Sequence, residues 1–418
     1  MKNQPSIVRP QLDRHLQQIL EVSLLVFAAA MPFSIALTQI AIGCAILCWF
    51  ARIAITRSQS FQPIGLEIPF LLFIGAAFLS LFFSTNAAQS AIFMKRHLLV
   101  LVFYVIAQQV QSKSLMQKLA WIFIAAMAVY SLFGILSFLQ DPTVRVRHVQ
   151  NSMTAGGLTM MGAVISLALL ITHKRRKVQI ALLLALLLNF ICLILTSTRG
   201  SWLGFFSGAL LVIYLQNRKL LLAIPVLLVL LLLVQPETLA HRTRHFFDPT
   251  WRTNAKRISW WKTGWEIYKD HPLTGIGDVS TQTVYQQYAG PDIEESIGHF
   301  HNNFIHIAVT LGSIGLAAFV NLLGFLFYRV WQVFRRCDRS AGLAMARGWT
   351  LAAMAVWTGF VINGLFEWNF GDQEIVTALY FVCGLALALP TRLCAATFAA
   401  HRAAQSDHGS NAQRFQDG

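Results

Sequence analysis

The chain has 418 residues, of which 56% are hydrophobic and only 12% charged, and it carries a formal net charge of +15. An ordinary soluble domain has about 25% charged residues; with a mean hydropathy of +0.57, this composition excludes that class. The basic balance does not point to nucleic acid, because an excess of Lys and Arg in cytoplasmic loops is the default of a polytopic membrane protein, and no RNA- or DNA-binding motif interrupts the apolar runs.

The N-terminal stretch MKNQPSIVRPQLDRHLQQ is basic and flows into an apolar run without a small-residue cleavage site, so it reads as retained. Apolar runs near the roughly 20 residues that cross a bilayer then follow at 17–32, 35–51, 67–83, 93–110, 115–139, 153–172, 178–197, 200–216, 219–235, 301–328, 345–366 and 373–391. The first two share one stretch broken near Met31-Pro32, since proline cannot continue the helix ladder. The pattern predicts an all-α polytopic membrane protein of about twelve transmembrane helices. Nine fall within 1–235, a large outer helical loop spans 236–300, three more occupy 301–391, and a polar cytoplasmic tail covers 392–418.

Orientation follows from the positive-inside rule. With the N-terminus in the cytoplasm, the inner loops hold Arg52 and Arg57, Lys113 and Lys118, HKRRK at 173–177, NRK at 217–219 and RRCDR at 335–339, and all five are basic. The six cysteines avoid the large outer loop, where an extracytoplasmic disulfide would be expected, and Cys44 and Cys48 read as packing residues. That loop divides into a basic first half and an acidic second half. Within it Ile258, Trp261, Trp265 and Tyr268 recur at 3, 4, 3 spacing, the pattern of an amphipathic helix lying on a membrane interface or on the spans beneath. DHPLTGIG at 270–277 then signals a turn.

The informative charges are cations on the outer side. Lys95, Arg96 and His97 open the fourth span, Arg145, Arg147 and His148 precede the sixth, and Arg199 sits in a very short outer turn. A charge at the bilayer centre costs roughly 2.5–3.5 kcal/mol, less near the interface, so such residues line a cavity, meet a carboxylate or contact lipid phosphate. Asp141, Glu367 and Asp372 are available as structural partners. Together with Arg257, the cations fit a strongly anionic, lipid-embedded group such as a pyrophosphate, with Gly200 and Gly204 allowing close helix approach near Arg199.

Three histidines, His299, His301 and His306, stand at the mouth of the tenth run. On one helix, positions 299 and 301 would point about 200° apart, and no supporting carboxylate lies within helical reach, so a metal is not expected. His306 and His299 suit polar interfacial caps. His301, followed by Asn302, would look back toward the basic lobe, where guanidinium charge favours the neutral imidazole. A neutral imidazole beside a bound sugar is a competent general base.

These residues carry a resemblance. His301-Asn302, nine residues, Gly312, two residues and Gly315 is similar to the signature of the O-antigen ligases of Gram-negative bacteria, and STRGSWLG (197–204) and RISWWKTGWEIYKDHPLTGIG (257–277) resemble that family's other blocks. The resemblance implies a GT-C-type glycosyltransferase of the bacterial inner membrane, with both termini cytoplasmic and a periplasmic active site and large periplasmic loop. It would move preassembled glycan from undecaprenyl pyrophosphate to a lipid A-core sugar without metal or cofactor; with no carboxylate marked as a covalent nucleophile, direct displacement with inversion is expected. It also implies essential roles for Arg199, Arg257 and His301; Lys95, Arg96, Arg145, Arg147 and Asn302 are candidates for substrate binding. An O-antigen polymerase, a protein O-oligosaccharyltransferase or, from another class, a lipid-linked glycan flippase are the alternatives. Gathering of charge at one face favours surface chemistry over translocation.

Overall fold

The computed structural model describes residues 8–56, 61–143, 145–146, 150–219, 248–289, 297–337 and 344–388. Among these residues the structure is helical, without strands. Seven helices among the described residues are long and apolar enough to cross a membrane, and two shorter apolar helices, Glu67–Leu81 and Gln373–Ala388, accompany them. The protein is therefore an integral membrane protein of all-α build. The expected ninth span, 219–235, lies almost wholly outside the described residues, as does the tail.

Helix α1 (Val8–Ala30) and α2 (Ile35–Thr56) form a hairpin. Pro32 stops the first, and the Ser34 hydroxyl accepts the Leu37 N–H at 3.2 Å to start the second. Next come α3 (Glu67–Leu81), the short α4 (Ala87–Phe93) and α5 (Val100–Gln109). The expected fourth span is thus not one regular helix: the segment Met94–Leu99, which carries Lys95, Arg96 and His97, is 3₁₀. Ser112 and Asn151 cap α6 (Lys113–Gln140) and α7 (Ser152–Thr172), each accepting backbone N–H groups of the first turn.

The centre of the molecule is α7, α9 (Arg199–Gln216) and α13 (Ala344–Asn363). Fully 83% of the most apolar window of α7 is buried, against 28% for α8 (Arg176–Leu195), which presents Ile180 and Leu184 outward. Such an interior cannot be assembled by hydrophobicity alone in lipid; it needs backbones that approach closely. Gly200, Gly204 and Gly208 supply that approach at one-turn intervals. A Cβ on Gly204 would meet the Gly359 carbonyl at 2.7 Å, and one on Gly208 the Ala355 carbonyl at 2.7 Å.

A small second core, separate from the main one, consists of Ile267, Ile276, Val279, Val284, Tyr285, Ile297, Phe300 and Val309. It joins α10 (Arg252–Asp270), α11 (Gln282–Tyr288) and the beginning of α12 (Asn303–Arg336). The amphipathic helix expected in the loop is present as α10, but its protein-facing side is one position round from the aromatic stripe. Thr263, Gly264 and Ile267 are buried, whereas Trp265 is 59% exposed.

At 34 residues, α12 spans about 51 Å, well beyond the roughly 30 Å hydrocarbon core, and it breaks at Gly312 (φ 65°, ψ −168°). The turn 271–277 supplies the backbone partners that the break sets free. Ile276 N–H donates to Val309 O at 3.0 Å and Gly277 N–H to Thr310 O at 2.9 Å, while Ser313 N–H reaches Pro272 O at 2.8 Å. A Cβ at Gly312 would collide with the Leu273 carbonyl, so glycine is required there by both conformation and space. The spaced glycine of the His-Asn motif and the HPLTGIG turn are two halves of one joint.

Candidate active site

A cavity of about 600 Å³ opens where the N-terminal ends of α7, α9 and α10 meet the C-terminal end of α13. Its lining includes Arg145, Arg199, Lys256, Arg257, His301 and Glu367. Arg145, Arg199, Arg257 and His301, far apart in sequence, are thus brought to one space. Arg147 lies outside the described residues. Lys95 and Arg96 are not in this cavity; they line a second one, and Arg96 Nε faces Asp278 Oδ2 at 3.3 Å.

Arg199 is the first residue of α9, entered through Ser197 in the left-handed region (φ 55°). Its Nη2 donates to Asn254 Oδ1 at 2.6 Å and Thr253 Oγ1 at 3.0 Å, both in the first turn of α10. The following turns of α10 bring Lys256, Arg257 and Trp260 to the cavity, at the 3–4 spacing of a single helical face with Thr253. This basic-aromatic face lies beside the stripe read from the sequence.

His301 precedes the helix rather than belonging to it. Asn302 is the N-cap of α12, its Oδ1 accepting from Phe304 N–H at 2.9 Å and Ile305 N–H at 3.0 Å. The expected span starting at 301 therefore starts two residues later, and His301 adopts φ 46°, unusual for a residue with a Cβ. Its ring stacks on Trp260 with centroids 5.0 Å apart. Nδ1 lies 2.8 Å from Glu367 Oε1. With the proton on Nδ1, Nε2 keeps its lone pair, and no described residue hydrogen-bonds to it.

Glu367 is the residue the sequence reading missed as a site member. Its side chain is only 13% exposed, and it also faces His299 Nε2 at 3.4 Å and Arg257 Nη2 at 3.5 Å. Burial alone would raise its pKa; the hydrogen bonds from His299 and His301 and the charges of His301 and Arg257 prevail and hold the carboxyl well below the usual carboxylate range. Arg257 is pushed downward by burial and upward by Glu367, and remains a cation, since guanidinium does not deprotonate in proteins.

The HNN triplet holds the turn that carries this carboxylate. Asn302 Nδ2 donates to Leu365 O at 2.8 Å, and Asn303 N–H to Gly364 O at 2.7 Å. The Asn303 side chain donates to Asn369 Oδ1 at 2.5 Å and accepts from Phe370 N–H at 3.1 Å. Asn302 is thus fully engaged in capping and in clamping the 364–370 turn, and is absent from the cavity lining.

The helical-wheel argument against a metal does not apply to this geometry, because neither His299 nor His301 is helical. Ligand atoms of His299, His301 and Glu367 lie within 4.8 Å of one another, so these three could hold a cation. The adjacent Arg257 guanidinium opposes one, and the His301–Glu367 contact has hydrogen-bond length.

What the fold and this site define is an integral membrane protein with a cavity lined by cationic side chains around an imidazole–carboxylate pair. Residues 184–320, about a third of the chain, match the family described as O-antigen ligase, and the chain carries that family's domain there. The matched segment includes Arg199, Arg257 and His301; Lys95, Arg96, Arg145 and Glu367 lie outside it. A search among curated proteins returned no match.

Proposed function

We propose that the protein is an inner-membrane O-antigen ligase that transfers a preassembled glycan from undecaprenyl pyrophosphate to a sugar hydroxyl of the lipid A core, on the periplasmic face, with both termini cytoplasmic. The observation that carries the reading is the shared cavity: Arg199, Arg257, Arg145 and Lys256 around His301, whose Nδ1 is held by Glu367. In this scheme the acceptor hydroxyl gives its proton to His301 Nε2 as its oxygen attacks the anomeric carbon of the donor's first sugar. The bond from that carbon to the phosphate oxygen breaks, and its electron pair leaves on the pyrophosphate. Attack opposite the leaving group inverts the anomeric centre. Glu367 fixes the imidazole tautomer and stabilises the imidazolium, the role a buried carboxylate plays in hydrolytic triads.

The guanidinium groups meet charge that grows on the leaving pyrophosphate, where preorganised donors are worth most. In this scheme the four cations at the cavity supply the charge neutralisation that a divalent metal supplies at many phosphate sites. The test is reconstitution with carrier-linked glycan and lipid A core: mass gained by the core supports ligation. Longer carrier-linked chains would reassign the protein as a polymerase, and glycan on a serine or threonine of a protein as an O-oligosaccharyltransferase. Transport of the lipid-linked glycan without transfer would return the flippase alternative.

A further inference from the structure

The second cavity, about 620 Å³, is built differently from the first. Its walls are apolar and aromatic: Ile42 and Ile46 on α2, Phe70 and Phe73 on α3, Val376 and Tyr380 on α14 (Gln373–Ala388). One end is cationic, where the 3₁₀ segment carries Lys95 and Arg96, with His97 next to them in the lining. Lys95 has no carboxylate partner among the described residues, and buried His97 Nε2 has no hydrogen-bond partner. A buried polar atom left without a partner is uncommon, and His97 belongs to the lining of this space. From Gln39 to Ile46 on α2, and from Gln373 to Tyr380 on α14, the lining runs seven residues, a channel about 10 Å deep. A Cβ added to Gly43, in the middle of the α2 wall, meets nothing within 4 Å.

This combination selects an amphiphile with a phosphate at one end and hydrocarbon at the other. The two cavities also share a wall: Phe366 and Glu367 line the first, Phe370 and Gly371 the second. Four residues of chain separate Glu367 from Gly371, which places the two spaces at most about 14 Å apart there, the length of a few sugar units. We infer that this second cavity seats the membrane anchor of the acceptor, a phosphorylated acylated glycolipid, with its phosphate on Lys95, Arg96 and His97 and a chain between α2 and α14. The assignment to the acceptor rests on the ligase reading; the site itself does not.

The test measures binding to the purified full chain in detergent, using lipid A, dephosphorylated lipid A, phosphatidylglycerol and inorganic phosphate as probes. Wild type is expected to prefer lipid A to its dephosphorylated form by about tenfold or more, the scale of one charge-assisted contact. Lys95→Ala is expected to erase that preference. Gly43→Leu, which keeps a good helix former and fills open space, is expected to weaken both lipid A forms tenfold. Wild-type affinity in both variants, or inorganic phosphate binding as tightly as lipid A, would overturn the site. Phosphatidylglycerol binding as tightly as lipid A would overturn the acceptor assignment. Should reconstitution show no glycan transfer while this binding pattern holds, the ligase reading falls and the phosphorylated-lipid site stands.

Discussion

Replacing Glu367 by Gln tests the core of the proposed chemistry with almost no change of volume. Three contacts are altered: the 2.8 Å bond to His301 Nδ1, the 3.4 Å approach to His299 and the 3.5 Å ion pair with Arg257. A glutamine can turn its amide toward Nδ1 and stabilise the tautomer protonated at Nε2, which has no lone pair to offer the acceptor. General-base catalysis is worth about 10²–10⁴ in rate, so kcat is expected to fall by that factor. Donor KM changes less, because the cationic cavity remains. Glu367→Asp keeps the charge but draws it back by one methylene, and recovers part of the loss. The assay is initial-rate transfer of carrier-linked glycan to lipid A core in defined micelles. A Gln variant within about threefold of wild type in kcat would refute the orienting role, whatever its stability.

The same substitution carries a pH signature. Because the folded-state pKa of Glu367 is depressed, its contribution to stability is complete above the unfolded value, about 4.3, and is lost as pH falls toward the folded one. The Tm gap between wild type and Glu367→Gln is therefore expected to be flat above that value and to narrow only in more acidic solution; a gap closing near neutrality would contradict the geometry. Arg199→Ala, which gives up the cavity cation and its bonds to Thr253 and Asn254, is expected to lower kcat about 10²–10³-fold, with Arg199→Lys intermediate, in the same transfer assay. Gly204→Leu forces a side chain onto Met160 and the Gly359 carbonyl and is expected to cost about 1–3 kcal/mol or more, read as loss of Tm or of folded yield. Gly312→Ala meets both the positive φ and the Leu273 carbonyl and is expected to lower Tm; an unchanged Tm would mean the joint between α12 and the 271–277 turn is unimportant. Transfer is expected to continue at full rate in EDTA, and strict dependence on an added divalent ion would reassign His299, His301 and Glu367 as its ligands.

Several features were legible in the sequence because they are properties of local composition. Apolar length marks the spans, since lipid leaves backbone groups no partner but their own helix. Pro32 marks the α1–α2 hairpin, and the periodic aromatics mark α10. Arg199 and His301 stood out as polar groups at the edges of apolar runs, and Arg257 through the 257–277 block. The partnerships did not stand out. Glu367 is 66 residues from His301, and nothing near either one announces the other. Asn302 looked like a substrate contact but occupies an N-cap, while Lys95 and Arg96, grouped by charge with Arg145, face a different space. Helix-forming segments can be read one at a time, because each is stabilised by its own hydrogen bonds and its own stretch of lipid. Which charges meet depends on how those helices cross, and the crossing is set by the sum of many small contacts, such as Gly204 against Gly359, that resemble one another in every apolar run. The sequence by itself therefore determined a membrane-embedded helical protein with cations gathered at the ends of its apolar runs. Only the packed tertiary structure decided that, among the described residues, these cations part between two cavities, with an imidazole–carboxylate pair in the first.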